Sequence, residues 1–397
     1  MRISTVTFQQ DALGQMETLQ ADLSKTQNQL GTGKKLNSAA DDPAGMAQVN
    51  QLNVELSASE QYVTNGNAAS SNLQLEEQAM SDATNTLQSA RDLAVQANNS
   101  SLTAAQRTDI ATQLSQQLQD LIAIGNRTDS NGDYLFSGEA SGTTPFAQVG
   151  NAVTYSGSSQ VRQVQISPNQ RISAGDTGAS VFMNVPAGNG TFTTAAGTTN
   201  TGVGAIGVGS VTNAAAWVPD TYTVKFTSPS AYTVTNSSGT TVASGTNFTD
   251  GQSISFNGIQ VAISGTPAGG DTFTIAKAGN SSAFNTLQGL ITTLNSPNLN
   301  NAQLATQIGG ALQQIDNAIS NLNDVSASAG ARVNSITSSQ ATAQTTQTNL
   351  SGAISSLSDV DYAAAITQLN TEELSLQAAQ QSYASIAHLS LFDYIHS

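Results

Sequence analysis

The chain has 397 residues, enough for two or three domains, and only 10% of them are charged, against about 25% in an ordinary soluble protein. Residues 1–140 contain 16 acidic and 7 basic side chains, residues 141–280 contain 4 of each, and residues 281–397 contain 7 acidic and 1 basic, for a net charge of −15. Because no basic face is clustered and cysteine is absent, a nucleic-acid binder, a disulfide framework and a thiolate metal site are excluded.

Targeting signals are not evident in the sequence. The opening MRISTVTFQQ has one arginine but no apolar stretch, so we expect no cleaved secretory signal peptide. No stretch approaches the roughly 18 consecutive apolar residues of a membrane span. These two features alone favour a cytoplasmic protein.

The first segment, residues 1–30, has a helical pattern with few apolar side chains. Its frame of alternating 3 and 4 spacing runs through Leu13, Met16, Gln20, Leu23, Gln27 and Leu30. Glutamine thus stands at two positions of the core type. A helix this polar is marginal in water, so we expect it to fold when a partner covers it.

Residues 44–98 are predicted to form one long helix with heptad periodicity. Asp41, Asp42 and Pro43 precede it and suit a helix start, because acidic caps and a first-turn proline are favoured there. The apolar members of its frame are Val49, Leu52, Leu56, Leu73, Met80 and Leu87. A shorter helix over 104–125 follows, with Ile110, Leu114, Leu118, Leu121 and Ile124 on one face.

The middle of the chain, residues 141–280, is rich in Gly, Thr and Ser and changes to period-2 alternation. Tyr222, Val224 and Phe226 share one strand face, and Phe273 and Ile275 indicate another strand. Asn257-Gly258 between two apolar runs predicts a tight hairpin. We predict an inserted all-β domain, in which the Gly/Thr/Ala-rich tract 187–216 forms a mobile loop.

The third long helical pattern covers residues 301–357. Its frame includes Ile308, Ile315, Leu322, Ile336, Leu350 and Leu357. Neither long helix could bury its stripe alone, so we expect the two to pack against each other. The last segment, 360–392, is helical in pattern but rich in Gln and Ala, and we expect it to be marginal like residues 1–30.

The predicted fold class is therefore α+β and multidomain: a long antiparallel coiled-coil bundle of helices from both chain ends, with an inserted all-β domain. The predicted parts are 1–30, 31–140, 141–280, 281–358 and 359–397. The helical parts include both heptad regions, and the first and last parts are the marginal helices.

The sequence motifs that could indicate catalysis or ligand binding match only weakly. Gly202, Gly204 and Gly207 match G-x-G-x-x-G, but no strand–turn–helix context surrounds them, so a loop is favoured over a nucleotide site. Lys34 and Lys35 in GTGKK fail the phosphate-loop pattern, because Asn28 stands where its first glycine should be.

The remaining candidates are equally poor. Asp129, Asn131 and Asp133 resemble the start of a calcium loop, but glycine comes fourth instead of sixth, which favours a tight turn. The only histidines are His388 and His396, too few for a catalytic triad or a histidine-rich metal site. The acid pairs at 76–77 and 372–373 are interpreted as solvated helix faces, and the single tryptophan, Trp217, as a packed side chain of the β domain. No enzyme site is predicted.

Two sequence runs show a likeness to a known family. LGTGKKLNSAADDPAG at 30–45 and LSDVDYAAAITQL at 357–369 resemble the N- and C-terminal motifs of the bacterial flagellin family. Four further stretches resemble the hook-associated junction proteins of this family more than flagellin proper: MRIST at the start, NGDYLFSGEASGTTPF at 131–146, GDTFTI at 270–275 and SLFDYI at 390–395. The resemblance covers about 1–140 and 281–397.

The resemblance implies an architecture and a set of partners. Terminal helices would form a coiled-coil inner tube around a channel, the paired long helices the next shell, and the β domain an outward projection. Implied partners are further copies of the chain in a ring or tube, the other hook–filament junction protein, flagellin, an export chaperone and the flagellar type III export apparatus. The implied location is extracellular, at the hook–filament junction, reached without a cleaved signal peptide. No cofactor, nucleic acid or membrane span is implied.

Two sets of interface residues follow from the helical frames and the resemblance. The expected assembly interface comprises Leu13, Met16, Leu23, Leu30, Ile366, Leu369, Leu374, Leu389, Leu391 and Phe392. The expected helix-pair packing comprises Val49, Leu52, Leu56, Leu73, Met80, Leu87, Ile308, Ile315, Leu322, Ile336, Leu350 and Leu357.

Other functions remain open from the residues alone. A filament-forming flagellin is the main alternative, and a secreted adhesin-type binding module with the β domain as its binding part is another. An ordinary helical domain with no polymer role would explain the long heptads but not the polar ends.

Overall fold

The structure is a computed structural model that describes the backbone of residues 5–395 and the side-chain surroundings of residues 7–385. The described residues form six α-helices. They are α1 (Thr5–Thr32), α2 (Pro43–Ala97), α3 (Ala104–Gly125), α4 (Ala283–Leu294), α5 (Asn301–Ser358) and α6 (Tyr362–Ile395). The helices predicted over 44–98, 104–125 and 301–357 are confirmed to within one residue at each end. The short helix α4 was not predicted.

The β region consists of short antiparallel strands with two single helical turns, Ala179–Met183 and Ala214–Ala216. The strands are β1 (Phe146–Val149), β2 (Ala152–Tyr155), β3 (Gln163–Ser167), β4 (Gln170–Ser173), β5 (Val185–Pro186), β6 (Phe192–Ala196), β7 (Ala205–Ile206), β8 (Ser210–Val211), β9 (Tyr222–Ser228), β10 (Ala231–Thr235), β11 (Thr241–Gly245), β12 (Ser253–Phe256), β13 (Ile259–Ser264), β14 (Thr272–Lys277) and β15 (Asn280–Ser281). One sheet has the order β11-β10-β9-β14-β6, and a second has β12-β13-β7 with β8 also on β13. The predicted α+β class is confirmed.

The chain divides into two compact units. One consists of residues 1–64 and 339–397, and the other of residues 65–338. Both α2 and α5 contribute to both units. In the first unit the two helices run antiparallel, because Ser59 donates to the carbonyl of Ala343 at 3.2 Å while Gln340 donates to that of Val63 at 3.3 Å.

A helical core fills much of residues 65–338, and its centre is aromatic. Phe182 is fully buried and its ring centroid lies 5.2 Å from Phe136, 5.6 Å from Phe146 and 5.3 Å from Phe284. Edge-to-face and tilted arrangements of this kind are favourable for aromatic rings. The β1–β2 and β3–β4 hairpins pack into this core, which links the strands before residue 187 to the helices.

The strands from residue 192 to 277 build a separate core of their own. Tyr222, Val224 and Phe226 alternate inward along β9 as predicted. Asn257 and Gly258 both have positive φ, 44° and 74°, and pair Phe256 with Ile259 across a two-residue hairpin. The predicted hairpin is therefore confirmed.

The structure of this β region confirms one further prediction and corrects another. Trp217 packs between the rings of Phe192 at 5.7 Å and Tyr222 at 5.8 Å, so it is a packed β-domain side chain as predicted. The tract 187–216 is not the predicted loop, because it contains β6, β7 and β8. Buried Asp271 organises part of it, accepting hydrogen bonds from the backbone of Thr201 at 2.8 Å and Gly202 at 3.1 Å.

Amide side chains of α5 bind backbone carbonyls of the β region. Asn321 donates to the carbonyls of Ser180 and Val181 at 3.0 and 2.8 Å, and Asn317 donates to those of Pro186 and Gly188 at 2.8 and 2.7 Å. Near the start of α5, Gln303 donates to the carbonyls of residues 197 and 198, each at 3.1 Å. These contacts use neutral groups, which accounts for part of the low charge content of the chain.

The interpretation of the 76–77 acid pair as a solvated face is wrong for one member. Glu77 is exposed, but Glu76 is 1% exposed. Its carboxylate accepts a hydrogen bond from the backbone of Asp176 at 2.9 Å, a partner 100 residues away. Heptad spacing alone could not reveal a polar partner so distant in sequence.

Candidate assembly interface

The two motif runs at 30–45 and 357–369 lie side by side. Lys35 donates its backbone N–H to the carbonyl of Ser358 at 2.6 Å, and Val360 donates to that of Gly33 at 3.0 Å. Asp359 accepts hydrogen bonds from the hydroxyls of Ser355 and Ser358, which hold its pKa below the usual range. The loop after α1 and the loop before α6 therefore form one hydrogen-bonded junction.

Aspartates fix the start of the helices on either side of this junction. Asp42 accepts from the N–H groups of Ala44 and Gly45 at 3.1 and 3.0 Å, so the predicted acidic cap before Pro43 is confirmed. Asp361 caps α6 in the same way, accepting hydrogen bonds from the N–H groups of Ala363 and Ala364 at 3.0 and 3.2 Å. Both caps satisfy N–H groups that a helix end leaves unpaired.

The turn between α1 and α2 has its own anchors. Asp41 accepts from the backbone of Ser38 at 2.9 Å and Asn37 at 3.2 Å, and pairs with Lys25 at 3.3 Å. The hydrogen bond from Ser38 is the main reason that the pKa of Asp41 is lowered. Gly33 has φ +71°, a left-handed conformation that favours glycine. A Cβ there would also lie 2.9 Å from the hydroxyl of the exposed Tyr362, which would have to shift.

Helices α1 and α6 pack against each other along a seam, which we define by their covered residues. On α1 these are Ala12, Met16, Leu19, Leu23, Thr26 and Leu30, and on α6 they are Ala365, Leu369, Glu372, Leu376, Ala379 and Tyr383. The spacing alternates 4 and 3 on both helices, as in a coiled coil. Small and polar residues occupy five of these positions, so the seam buries less apolar surface than a leucine-rich one would.

The predicted frame of α1 is wrong at three positions. Leu13, Gln20 and Gln27 were placed in the frame but are exposed, and Ala12, Leu19 and Thr26 are covered instead. The one-residue shift places Leu19 and Thr26 on the seam in place of two glutamines, which lowers the cost of burying polar groups.

The ten predicted assembly residues divide into three groups. Met16, Leu23, Leu30 and Leu369 belong to the seam within the chain. Leu13, Ile366 and Leu374 are exposed, by 50%, 49% and 68% respectively. Leu389, Leu391 and Phe392 lie outside the residues whose side chains the structure describes.

Two exposed aromatic residues were missed by the sequence reasoning. Phe8 of α1 is 46% exposed and Tyr362 of α6 is 54% exposed. Tyr362 stands inside the motif run 357–369, so its position was available as a signal, whereas Phe8 follows the MRIST stretch and lies in no motif run. Together with Leu13, Ile366 and Leu374 they form what we call the exposed apolar set of the terminal helices. Isolated apolar residues are common on surfaces, and others such as Val54 and Val218 are exposed elsewhere in the described chain, so this set is a candidate contact surface only.

Glu372 of the seam differs from its neighbour Glu373, which is exposed as predicted. One carboxylate oxygen of Glu372 accepts from Gln368 at 2.8 Å, whereas the other is enclosed and has no hydrogen-bond partner within the described chain. An enclosed acceptor without a partner destabilises the isolated pair of helices.

The twelve predicted helix-pair residues are all covered to some degree. Buried members are Val49, Leu73, Met80, Leu87, Ile308, Ile315, Leu322 and Ile336. Half-buried members are Leu52, Leu56, Leu350 and Leu357. In residues 65–338 an ion pair between Arg91 and Asp316, 2.6 Å apart, adds a polar contact between α2 and α5.

The candidate chemical motifs do not gather into a site. Asp129 accepts from the backbone of Asn131 at 2.8 Å and Asp133 at 3.0 Å, so the predicted tight turn is confirmed. Among the residues that the structure describes, no three His, Cys, Asp or Glu side chains are positioned to hold a metal ion. In the same part of the chain, no helix is both long and apolar enough to span a bilayer.

Profiles of known families match three parts of the chain. The bacterial flagellin N-terminal helical region matches residues 3–141, and the bacterial flagellin C-terminal helical region matches residues 312–395. The D2-like domain of flagellar hook-associated protein 1 matches residues 195–277, within the β region.

The chain is also similar to individual proteins, among them flagellar hook-associated proteins of type 3. Flagellar hook-associated protein 3 of Salmonella typhimurium is 30% identical over 185 residues, which is 47% of this chain and 58% of that protein, so the match spans little more than half of the curated relative. FlgL of Xanthomonas campestris superposes with a TM-score of 0.70 at 31% identity, over 76% of this chain and 98% of that structure. Hook-associated protein 3 of Legionella pneumophila superposes with a TM-score of 0.73 at 32% identity, over 78% of this chain and 98% of that structure. The predicted resemblance is confirmed.

Proposed function

We propose a role for this protein from the premise that the chain belongs to the flagellar hook-associated protein 3 (FlgL) family. It is a structural subunit of the bacterial flagellum, not an enzyme, and an adaptor between the other hook-associated junction protein and flagellin. The relatives support a place in the flagellum by their names, which include a flagellar junction protein from Legionella pneumophila. The exposed apolar set on α1 and α6 is the observation that carries the proposal.

The proposed mechanism is coupled folding and assembly. In the free chain the seam between α1 and α6 is short of apolar surface, and Leu13, Ile366 and Leu374 face solvent. Neighbouring copies would cover these side chains, and burial at about 25 cal/mol per Å2 would then exceed the entropy lost on ordering. A head-to-tail contact between copies can repeat into a ring or tube.

The finer parts of the proposal follow the family likeness. The division into 1–30, 31–140, 141–280, 281–358 and 359–397 assigns the first and last parts to the inner tube and 141–280 to an outward β domain. Export would use the type III apparatus and a chaperone, with no cleaved signal peptide, and deliver the subunit outside the cell.

Electron microscopy of a strain that lacks the gene tests the proposal. Cells should carry hooks without filaments and release flagellin into the medium, and the wild-type gene should restore filaments. Normal filaments in the deletion strain would contradict the junction role. A matched pair of complementing genes sharpens the test: Leu374→Asp should fail to restore filaments, whereas Thr371→Asp, an exposed change one turn away on α6, should restore them.

Two other outcomes separate the alternatives. If the purified protein forms long filaments by itself, a filament-forming flagellin is the better assignment. If residues 141–280 are needed for attachment to a surface ligand while filaments are unaffected by the deletion, an adhesin-type module is favoured.

A further inference from the structure

Glu76 of α2 is a buried acid with one free oxygen. One carboxylate oxygen accepts the backbone N–H of Asp176 at 2.9 Å. The other is enclosed and has no hydrogen-bond partner within the described chain. The adjacent Glu77 is exposed, so the two neighbours provide a buried carboxyl and a solvated one in the same helix.

A second charged side chain binds the same segment from the other long helix. Arg332 of α5 forms an ion pair with the Asp176 carboxylate and donates to the carbonyls of Gly175 at 3.1 Å and Ser173 at 3.4 Å. Segment 173–178 is therefore held by Glu76 on one side and Arg332 on the other. We call these three elements the 173–178 latch.

A cavity of about 30 Å3 adjoins the Glu76 side chain. Its volume is large enough for a water molecule, but the free oxygen is enclosed and presents almost no surface to it. Charged or titratable side chains lining the cavity are Asp129, Asp133, Tyr134, Arg162 and Asp176. Together with Arg332 they are the groups that face Glu76 from the described elements packed around it.

The surroundings favour the neutral acid. Burial is the main cause and the nearby Asp176 carboxylate the second, and together they raise the pKa of Glu76 to about 8 from an ordinary value of 4.5. The Arg332 guanidinium and the hydrogen bond from Asp176 N–H act in the opposite direction but are weaker.

We propose that Glu76 binds a proton at neutral pH and that this proton keeps the 173–178 latch closed. When the carboxyl ionises, the carboxylates of Glu76 and Asp176 both lie beside the Arg332 guanidinium in a poorly solvated place, and the segment separates from α2. The segment also supports the 131–146 run, because Gly178 donates to the carbonyl of Phe136 at 2.7 Å and Thr177 forms a bridge with Ser137. Opening therefore loosens that run as well.

The direction of the pH effect follows from linkage. In the closed latch Glu76 retains its proton up to about pH 8, whereas in the open latch it ionises above about 4.5. Raising the pH between these values therefore favours opening, by about tenfold in the ratio of open to closed per pH unit. Below about pH 4.5 the latch is fully stabilised, and above about pH 8 the ratio no longer changes.

Hydrogen exchange of the Asp176 and Gly178 amides in the full-length protein tests this proposal. After correction for intrinsic exchange, the opening ratio in wild type should rise about a hundredfold or slightly less from pH 5.5 to 7.5. Glu76→Gln, which imitates the neutral acid, should show no such rise, and Glu77→Gln should behave as wild type. The proposal would be overturned if the opening ratio depended equally on pH in wild type and Glu76→Gln. It would also be overturned if Glu77→Gln lost the pH dependence.

Carboxyl 13C NMR of the wild-type chain keeps the test valid if Glu76→Gln does not fold. One glutamate carboxyl should titrate near pH 8 in wild type and in Glu77→Gln. If every glutamate carboxyl titrates in its ordinary range, the latch does not hold a proton and the proposal fails.

Discussion

The core of residues 65–338 and the α1–α6 seam share a 3-and-4 spacing along their helices, but the core also receives phenylalanines from a turn, from β1, from the single helical turn Ala179–Met183 and from α4. The core buries four phenylalanines within one cluster. The seam buries alanine, threonine and one glutamate among its leucines, and leaves Leu374 mostly in solvent. The contrast teaches that periodicity sets where helices touch, whereas side-chain volume sets whether the contact is stable without a partner.

Amide hydrogen exchange along the helices should give the largest difference. In the free chain, residues 5–30 and 362–385 should open at a cost near zero, whereas residues 65–97 of α2 should open only at a cost close to that of global unfolding. Mass spectrometry of peptides from the exchanged protein measures this. Equal protection of the terminal helices and α2 would contradict the proposed coupling of folding to assembly.

Phe182→Ala should give the next largest effect. It removes a fully buried ring that touches three others, so the free energy of unfolding should fall by about 3–5 kcal/mol in urea. Leu374→Ala is the matched change in the other region and should cost no more than about 0.5 kcal/mol, because the side chain is 68% exposed. Similar losses for both variants would remove the contrast between core and seam.

Asn321→Ala should have an intermediate effect. The amide donates to two carbonyls at 3.0 and 2.8 Å, and its loss should lower the free energy of unfolding by about 1–3 kcal/mol. Asn323→Ala, two residues along α5 and exposed, serves as control and should change the value by less than about 0.5 kcal/mol. If the two variants are equally stable, the contacts of α5 with backbone carbonyls contribute nothing measurable.

Leu374→Asp should have the smallest effect on the free protein. The side chain is exposed, so thermal unfolding of the monomer should move by no more than the equivalent of about 0.5 kcal/mol. Assembly should be lost, because a charge then replaces the apolar side chain that we propose is covered by a neighbouring copy. Analytical ultracentrifugation with its partner proteins compares the variant with wild type, and unchanged assembly would place Leu374 outside the interface.

The long helices and the β hairpin could be predicted because their signals are local. Asp42 and Pro43 fix the start of α2, and Asn257-Gly258 fixes a two-residue turn, each within a few residues of sequence. The burial of Glu76 could not be predicted, since its partners Asp176 and Arg332 are brought near only by the fold. Among the strands missed within 187–216, β7 and β8 are two residues long, too short for alternation to show, and β6 has only one large apolar side chain, Phe192, among Thr and Ala.

The candidate interface was predicted less well than the fold. Leu13, Ile366 and Leu374 are exposed, as an interface requires, but four other predicted residues lie in the seam. Sequence spacing identifies a helix face as apolar without saying which neighbour covers it. The register of α1 was also wrong by one residue at Gln20, because leucine and glutamine alternate closely in that segment.

The way α5 binds the β region affects which substitutions the protein can tolerate. Asn317, Asn321 and Gln303 contact carbonyl oxygens, a group that every residue possesses. The exposed side chains of Ser180 and Thr198 can therefore change without removing those hydrogen bonds. Val181 is buried, and a Cβ at Gly197 would overlap Oγ1 of Thr272, so these two positions are constrained for other reasons. Sequence variation at the exposed positions of these segments is compatible with constant attachment to α5.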